Sequence, residues 1–278
     1  ERVYRLLGGP VTFHGDRPPR AGDTLRYEVE VTGHAHNGNT RLFFFRSKTY
    51  LNGALRLSVN DARAGFFSPE ELETAPGVAW DPFLVRLDDR IPHVEAPATC
   101  TPKAFSRAEL DALTVKRSKE CFAEGLERAD SLGLPLRHQR LEIQLIDQVD
   151  LLDPNGGPWK RGYLRASYHV RGDEWSFKCH FPNDPCMPGA LMGETGLHLM
   201  EFYLAALGHT RERHGWSLEV VPSSTFKFAC RGQATPDSHE MTYEVFVRSV
   251  GGGDRPTIWA DVLVTIDGRK AFHAQDVR

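Results

Sequence analysis

One stretch of this sequence is apolar on nearly every side of a helix. It covers residues 188–207, opens with Pro188 and Gly189, and is followed by Gly208. Proline suits the first turn of a helix, because its missing N–H would be unpaired there anyway, and glycine suits the position after the last turn. A helix without a polar face is a buried helix. The sequence therefore predicts a central, enclosed helix that starts near Pro188 and ends at about Leu207.

Two β-rich stretches of the chain resemble each other. Residues 11–59 and 225–274 each contain four runs in which apolar and polar residues alternate, rich in β-branched and aromatic side chains. Asn52-Gly53 and Asp267-Gly268 separate the last two runs of each stretch and are typical of hairpin turns. The pattern predicts two copies of one antiparallel sheet motif, with chance similarity between β-rich segments as the alternative.

The stretch between the copies differs from them in composition and in residue pattern. Residues 92–102 are rich in proline and threonine and are predicted to be irregular. Ser106 and Glu109 are spaced as a capping box, which predicts a helix from there to about Leu126. Two further strands are predicted over 141–152 and 162–170.

The second copy is preceded by a strand pair and the long helix, whereas the first copy begins almost at once with strands. We therefore expect the chain to begin partway through its first unit and to be part of a longer polypeptide. The predicted organisation is an incomplete, non-catalytic first unit over 1–72, a connector with a helix over 73–135, and a catalytic unit over 136–278.

Composition excludes several classes of protein. A net charge of −3 over 278 residues argues against nucleic-acid binding. No apolar run approaches the roughly 18 residues that suggest a membrane span, and the first residues do not resemble a signal peptide. The five cysteines form no C-x-x-C pair, which favours structural thiols in a reducing compartment. We expect a soluble, cytoplasmic protein without a metal site.

Two ionisable residues, Glu194 and His198, interrupt the apolar helix one turn apart on one face. A carboxylate in a core costs several kcal/mol unless it is paired, so Glu194 needs a reason to be there. His180 precedes the helix, and histidine with a carboxylate is suited to moving protons at neutral pH. The N–H of Gly189, at the positive end of the helix dipole, could stabilise negative charge on a thioester oxygen. Taken singly, a core histidine and a carboxylate at a solvated edge are the simpler interpretations.

The run His-Phe-x-x-Asp-Pro-x-Met-Pro-Gly at 180–189, with Glu194 five positions beyond the glycine, resembles the signature of the β-hydroxydecanoyl-acyl-carrier-protein dehydratase family. Further stretches look like the dehydratase region of polyunsaturated fatty acid synthases and iterative polyketide synthases. They are Leu42-Phe43-Phe44-Phe45, the run from Ala64 to Leu72, Phe105-Ser106, and the run from Phe202 to Gly208. The resemblance covers most of the chain.

This resemblance implies an α+β hot-dog fold, in which an antiparallel sheet wraps around a central helix, here as a double hot dog with an incomplete first unit. It also implies β-elimination of water from a (3R)-3-hydroxyacyl thioester to give the trans-2-enoyl thioester. His180 would remove the C2 proton, Glu194 would assist departure of the hydroxyl, and the N–H of Gly189 would polarise the thioester carbonyl. Phe181, Met187, Pro188 and His198 would contact the substrate.

The implied partners are an acyl carrier protein and the other domains of a multienzyme synthase. No dissociable cofactor is implied, since the substrate is carried on the phosphopantetheine arm of the carrier protein. In dimers of the family, the histidine of one hot dog faces the acid of its partner. Either two copies of this chain form a homodimer and exchange these residues, or a partner helix belongs to the longer polypeptide.

At the site, the sequence differs from the family pattern at two positions. Glu194 replaces the aspartate of the founding bacterial enzyme, and His198 replaces a common glutamine. Two other functions remain open. A hot-dog thioesterase is disfavoured by the run at 180–189. A non-catalytic acyl-binding or structural hot-dog domain is plausible for the first copy, because a fold alone never proves activity.

Overall fold

The computed structural model describes residues 2–15, 18–98, 101, 103–114, 120–122, 145–209 and 219–278. Two compact units divide the chain. The first contains residues 1–79, 219–233 and 269–278, and the second contains residues 80–218 and 234–268. This division groups residues by packing, and the boundaries predicted from the repeat, 1–72, 73–135 and 136–278, stay a prediction. Among the described residues, no helix combines the length and the apolar character that crossing a membrane requires.

Eleven strands and three α-helices make up the regular structure of the described residues. The strands are β1 (Val3–Phe13), β2 (Leu25–Asn37), β3 (Thr40–Leu51), β4 (Ala54–Phe67), β5 (Lys103–Phe105), β6 (Gln148–Asp153), β7 (Tyr163–His169), β8 (Thr225–Cys230), β9 (Glu240–Gly251), β10 (Thr257–Ile266) and β11 (Arg269–Val277). The helices are α1 (Pro69–Glu73), α2 (Arg107–Thr114) and α3 (Gly189–Ala206). Short 3₁₀ turns cover Pro82–Leu84 and Trp175–Lys178.

In the first unit the strand order is β2-β3-β4-β1-β8-β11, and the pairs are antiparallel. The turn from β3 to β4 is made by Asn52 and Gly53, with φ values of 49° and 86°. Positive φ at both positions gives the tight turn whose twist matches that of the flanking strands. This confirms the hairpin that the sequence predicts there.

The predicted repeat is visible in the strand pairing. Strand β1 pairs with β4 and β2 with β3 in the first copy, while β8 pairs with β11 and β9 with β10 in the second, all antiparallel. Corresponding strands of the two copies therefore have corresponding partners, as expected for two copies of one motif.

In the second unit the strand order is β10-β9-β7-β6-β5, and α3 packs on β9 and β10. Helix and sheet approach closely at Gly196, where an added Cβ atom would lie 2.6 Å from Cγ1 of Val262. Nearly all residues of α3 from Met192 onward are buried. An antiparallel sheet around a buried helix is the α+β hot-dog fold that the resemblance implies.

The central helix matches its prediction closely. Pro188 is the N-cap residue, Gly189 is the first helical residue, and the helix ends at Ala206. Gly208 has a φ of 81°, the left-handed conformation that lets its N–H and that of His209 bond to carbonyls of the last turn.

Other elements differ from the sequence prediction. The Ser106–Glu109 capping box is present, with the Ser106 N–H donating to Oε2 of Glu109 at 2.7 Å, but α2 ends at Thr114. The predicted extension to Leu126 falls mostly outside the described residues, and Glu120, within it, is not α-helical. The strand predicted from Leu141 is described only from Leu145 and begins at Gln148. Helix α1 and strand β5 were not predicted, since each is too short to show a periodicity.

Candidate active site

The loop before α3 holds His180 through its own backbone. The Trp175–Lys178 turn ends with the N–H of His180 donating to the Ser176 carbonyl at 2.9 Å. The chain then folds back, so that the N–H of Cys186 donates to the His180 carbonyl at 2.9 Å. The His180–Phe181 peptide bond is cis. The two backbone hydrogen bonds hold His180 in a closed loop, and its side chain is only partly buried.

The same loop selects the tautomer of His180. Its Nδ1 lies 2.8 Å from the carbonyl oxygen of Cys186. Because a carbonyl oxygen can only accept, Nδ1 carries the proton in this hydrogen bond and the lone pair of a neutral ring is on Nε2. The other nitrogen of His180 is therefore the one that can act as a base. The ring also stacks on Phe181, with centroids 4.2 Å apart.

The start of α3 presents backbone donors that none of the hydrogen bonds among the described residues engages. Leu191 and Met192 donate to the Pro188 carbonyl, whereas none of the backbone hydrogen bonds described engages the N–H groups of Gly189 and Ala190. Pro188 has no side-chain capping group. The first N–H groups of a helix carry partial positive charge, so this end of α3 can receive a developing negative charge.

The side chains of Glu194 and His198 are in contact along α3. Oε1 of Glu194 lies 3.3 Å from Nε2 of His198, and the two side chains are 43% and 4% exposed. The neighbouring imidazole of His198 holds the pKa of Glu194 below its usual value, and this effect outweighs the opposing effect of burial. The spacing of four residues predicted from the sequence thus brings these two side chains into contact.

The structure does not pair the two predicted acid/base residues directly. The ion pairs of the described residues include none between His180 and Glu194, and the contact made by Glu194 is with His198. Of the residues expected to bind substrate, Phe181 is exposed, whereas Met187 is buried and its N–H donates to the Ala234 carbonyl at 2.9 Å. A joint site of His180 and Glu194 stays a prediction.

A third ionisable residue of α3, Glu201, went unnoticed in the sequence. Only 8% of Glu201 is exposed. It follows Glu194 by seven positions, which places it on the same side of the helix two turns later. That spacing was the signal that could have revealed it.

The comparisons with known proteins identify the family. Residues 136–275, half of the chain, match the model of the FabA-like domain. The chain belongs to the FabA-like domain family. This match contains the His180 loop, α3 and the strands β6 to β10.

A curated relative extends the likeness over the rest of the chain. The chain is 30% identical over 285 residues to one of the subunits of the polyunsaturated fatty acid synthase of Thraustochytrium sp., covering 97% of this chain. It spans 18% of the length of that relative. The likeness therefore concerns one segment of a much longer protein.

Three solved structures are similar over nearly the whole chain. A MaoC-like dehydratase shares 14% identity with a TM-score of 0.44, covering 99% of this chain and 75% of its own. The dehydratase domain of RzxB from Pseudomonas fluorescens shares 8% with a TM-score of 0.45, covering 99% and 75%. A thioesterase from Novosphingobium aromaticivorans, named as such only provisionally, shares 14% with a TM-score of 0.42, covering 98% and 78%.

Proposed function

We propose that this chain is a dehydratase that removes water from (3R)-3-hydroxyacyl thioesters carried on an acyl carrier protein, giving trans-2-enoyl thioesters. The observation that carries the proposal is the hydrogen bond of His180 to the Cys186 carbonyl. It leaves the lone pair of a neutral ring on Nε2, on the loop that leads into α3, whose first N–H groups carry partial positive charge. Membership of the FabA-like domain family supports the same interpretation.

In the proposed reaction, Nε2 of His180 takes a proton from C2, and the electrons move toward the thioester carbonyl. The N–H of Gly189 hydrogen-bonds the oxygen on which the charge develops. The C2–C3 double bond then forms, the C3–O bond breaks, and the departing hydroxyl takes a proton delivered through Glu194. Because the pKa of Glu194 is lowered, its acid form is the minor one at neutral pH and must first take that proton from solvent. One proton is taken and one is given, so the products are the enoyl thioester and water. Phe181, Met187, Pro188 and His198 are proposed to contact the acyl chain or its pantetheine arm.

The experiment incubates the chain with a 3-hydroxyacyl thioester of pantetheine or of a carrier protein. Enoyl formation is followed by the loss of the mass of water. For His180→Ala and for Glu194→Gln we expect the rate to fall by a factor of about 10² to 10⁴, the usual contribution of a positioned acid or base. Phe181→Leu is a matched control in the same loop, and it should change substrate affinity more than the rate of elimination.

Three results would contradict the proposal. Undiminished turnover by His180→Ala would exclude His180 as the base. Release of the free acid with an intact hydroxyl would identify a thioesterase instead. Tight binding of the thioester without conversion would identify a non-catalytic acyl-binding domain.

Mixing the two inactive variants tests how the residues are shared. If two copies of the chain exchange Glu194 and His180, a mixture of His180→Ala and Glu194→Gln regains activity through mixed dimers. If both residues act on one substrate within one chain, the mixture stays inactive. The measurement is the rate at constant total protein concentration as the ratio of variants changes.

The proposed setting is a multienzyme synthase that makes fatty acids or polyketides. The support is the relative from Thraustochytrium sp., which is named as part of a polyunsaturated fatty acid synthase. A carrier protein would bring the substrate to the chain on its phosphopantetheine arm, without a dissociable cofactor.

A further inference from the structure

Glu174 stands at the start of the turn that leads to His180, and the mechanism above gives it no role. It is the N-cap residue of the Trp175–Lys178 turn, and its carbonyl accepts the N–H of Phe177 at 3.0 Å. Its side chain makes no capping hydrogen bond to that turn. The carboxylate of Glu174 therefore bonds to groups outside the turn that it begins.

Those groups lie at the end of strand β7. Oε1 of Glu174 accepts the hydroxyl of Tyr168, a residue of β7, at 2.9 Å and the N–H of Arg171 at 2.8 Å. Tyr168 is buried, so its hydroxyl has little access to water. Hydrogen bonds to a carboxylate are stronger than those between neutral groups. The side chain of Glu174 thus connects the turn to the end of β7.

The end of β7 is itself held by several contacts. Cζ of Arg171 lies 4.9 Å from the ring centroid of Tyr168, and Nη2 of Arg171 donates to Asp147 at 2.6 Å. Asp147 also accepts the N–H of His169 at 2.8 Å. Strand β7 pairs with β6 on one side and with β9 on the other. Glu174 therefore attaches the turn to a well-fixed part of the sheet.

Within the turn, Ser176 connects this attachment to His180. Ser176 is buried, and its carbonyl accepts the N–H of His180 at 2.9 Å. The bond from His180 to the Cys186 carbonyl sets the tautomer, but both of its partners belong to the same loop. That bond fixes the ring within the loop, whereas Glu174 fixes the start of the loop against β7.

The glutamate is kept at this position at a cost. Its Oε2 atom is buried, and none of the hydrogen bonds among the described residues engages it. A buried oxygen without a partner is unfavourable, so a glutamate here calls for an explanation. The two donors on Oε1 supply one, because an apolar residue would leave the hydroxyl of Tyr168 and the N–H of Arg171 without their acceptor.

We propose that Glu174 is a positioning residue, which acts through the Trp175–Lys178 turn to place Nε2 of His180 relative to the first N–H groups of α3. This inference rests on the proposed function, because the role of His180 as the base belongs to it. The base must reach the C2 proton while the thioester oxygen is bound at Gly189. A misplacement of about 1 Å can lower a rate by about 10². Without Glu174 the turn can shift against β7, and His180 shifts with it.

The experiment compares kcat and KM for the wild type, Glu174→Ala and Glu174→Gln. Glu174→Ala removes both hydrogen bonds, and we expect kcat to fall by a factor of about 10 to 100 with little change in KM. Glu174→Gln keeps an oxygen that can accept from both donors, so it should restore most of kcat. Asp173→Ala changes the neighbouring exposed carboxylate and should leave both constants unchanged.

Tyr168→Phe tests whether the effect passes through β7. This change removes one donor and keeps the ring, so kcat should fall less than in Glu174→Ala. In the double variant the loss should be no larger than in Glu174→Ala alone, because the bond between the two residues is already absent. Losses that multiply would show that Tyr168 and Glu174 act separately and would contradict the proposed path.

A second readout does not depend on turnover. The ring C–H signals of His180 are followed by NMR and assigned from their loss in His180→Ala. They should change in Glu174→Ala, return close to the wild-type positions in Glu174→Gln, and stay unchanged in Asp173→Ala. Urea denaturation of each variant shows whether the fold is retained. Should Glu174→Ala fail to fold, Tyr168→Phe carries the same comparison with a smaller effect.

The outcomes separate the two proposals. If the wild type turns over no thioester while the signals of His180 change in Glu174→Ala, the positioning is right and the proposed function is wrong. If the wild type is active and Glu174→Ala keeps its kcat, the inference is wrong, even if that variant is less stable. Equal losses of kcat in Glu174→Ala and Glu174→Gln would assign the effect to charge and also overturn it. An inactive wild type with unchanged signals would contradict both proposals.

Discussion

At the scale of single residues, Glu201 should make the stability of the fold depend on pH. Its pKa is raised in the folded state to about 7, from an ordinary 4.5. Between these values the folded state binds more protons than the unfolded state, so the free energy of unfolding falls as the pH rises. Between pH 5 and pH 8, the free energy of unfolding of Glu201→Gln should fall by about 2 kcal/mol less than that of the wild type.

Urea denaturation at several pH values measures this difference. Comparing variants removes the contribution of other buried groups, such as His93 and His209, whose pKa values are lowered by burial. Glu240→Gln, which changes an exposed glutamate of the same unit, should follow the wild type at every pH. Parallel curves for the wild type and Glu201→Gln would show that Glu201 stays charged, or stays neutral, across the whole range.

The sequence predicted part of the site at this scale. The contact of Glu194 with His198 followed from helical spacing, because residues four apart share a face whatever the surroundings. The pairing of His180 Nδ1 with the Cys186 carbonyl could not be predicted, since it depends on how the loop closes on itself. Glu201 was overlooked because a glutamate in a helix is usually solvated, and only the packing of its neighbours shows that this one is not.

At the scale of elements, Gly196 determines how closely α3 approaches β10. An added Cβ atom would lie 2.6 Å from Cγ1 of Val262, closer than real carbon contacts allow. Gly196→Ala should therefore destabilise the fold by about 1 to 3 kcal/mol, although alanine is the better helix former. The double variant Gly196→Ala, Val262→Ala should be less destabilised than the sum of its single changes. Simple additivity in thermal or urea denaturation would indicate that helix and strand do not meet at this glycine.

Elements with strong local signals were predicted well. The bounds of α3 followed from a proline, a glycine and an apolar run, and the β3–β4 turn followed from Asn52-Gly53. Strand β5 has three residues and α1 has five, so neither contains a full period of its pattern. Gly196 was not singled out from the sequence, because a glycine within a helix does not indicate what packs against it, and its function becomes clear only from the position of Val262.

At the scale of the whole molecule, the sequence predicted a repeat but not how its strands group by packing. The pairings β1 with β4 and β8 with β11 are equivalent, as the repeat requires. All four of these strands nevertheless belong to the first compact unit, whereas β9 and β10 belong to the second. The alternation of apolar and polar residues predicts which face of a strand is buried. It does not predict which other strands pack together with that strand.

The two units differ in how well their strands are buried, and this should appear in native-state hydrogen exchange. Strand β2 ends the strand order of the first unit, and Tyr27, Val29 and Val31 are 65%, 67% and 52% exposed. In the second unit, Tyr243 and Val245 of β9 are fully buried and lie on a strand paired on both sides. Local opening costs least free energy where few apolar contacts are lost. The hydrogen-bonded amides of β2 should therefore exchange faster than those of β9.

Strand β3 serves as the internal comparison, because it belongs to the same unit as β2 but pairs with a neighbour on each side. Its amides should show intermediate protection if pairing on both sides limits opening. Equal protection of β2 and β3 would mean that the hairpin opens as one unit. Protection of β2 equal to that of β9 would mean that its exposed apolar face is covered in solution, and the apparent exposure of Tyr27, Val29 and Val31 would then identify the covered surface.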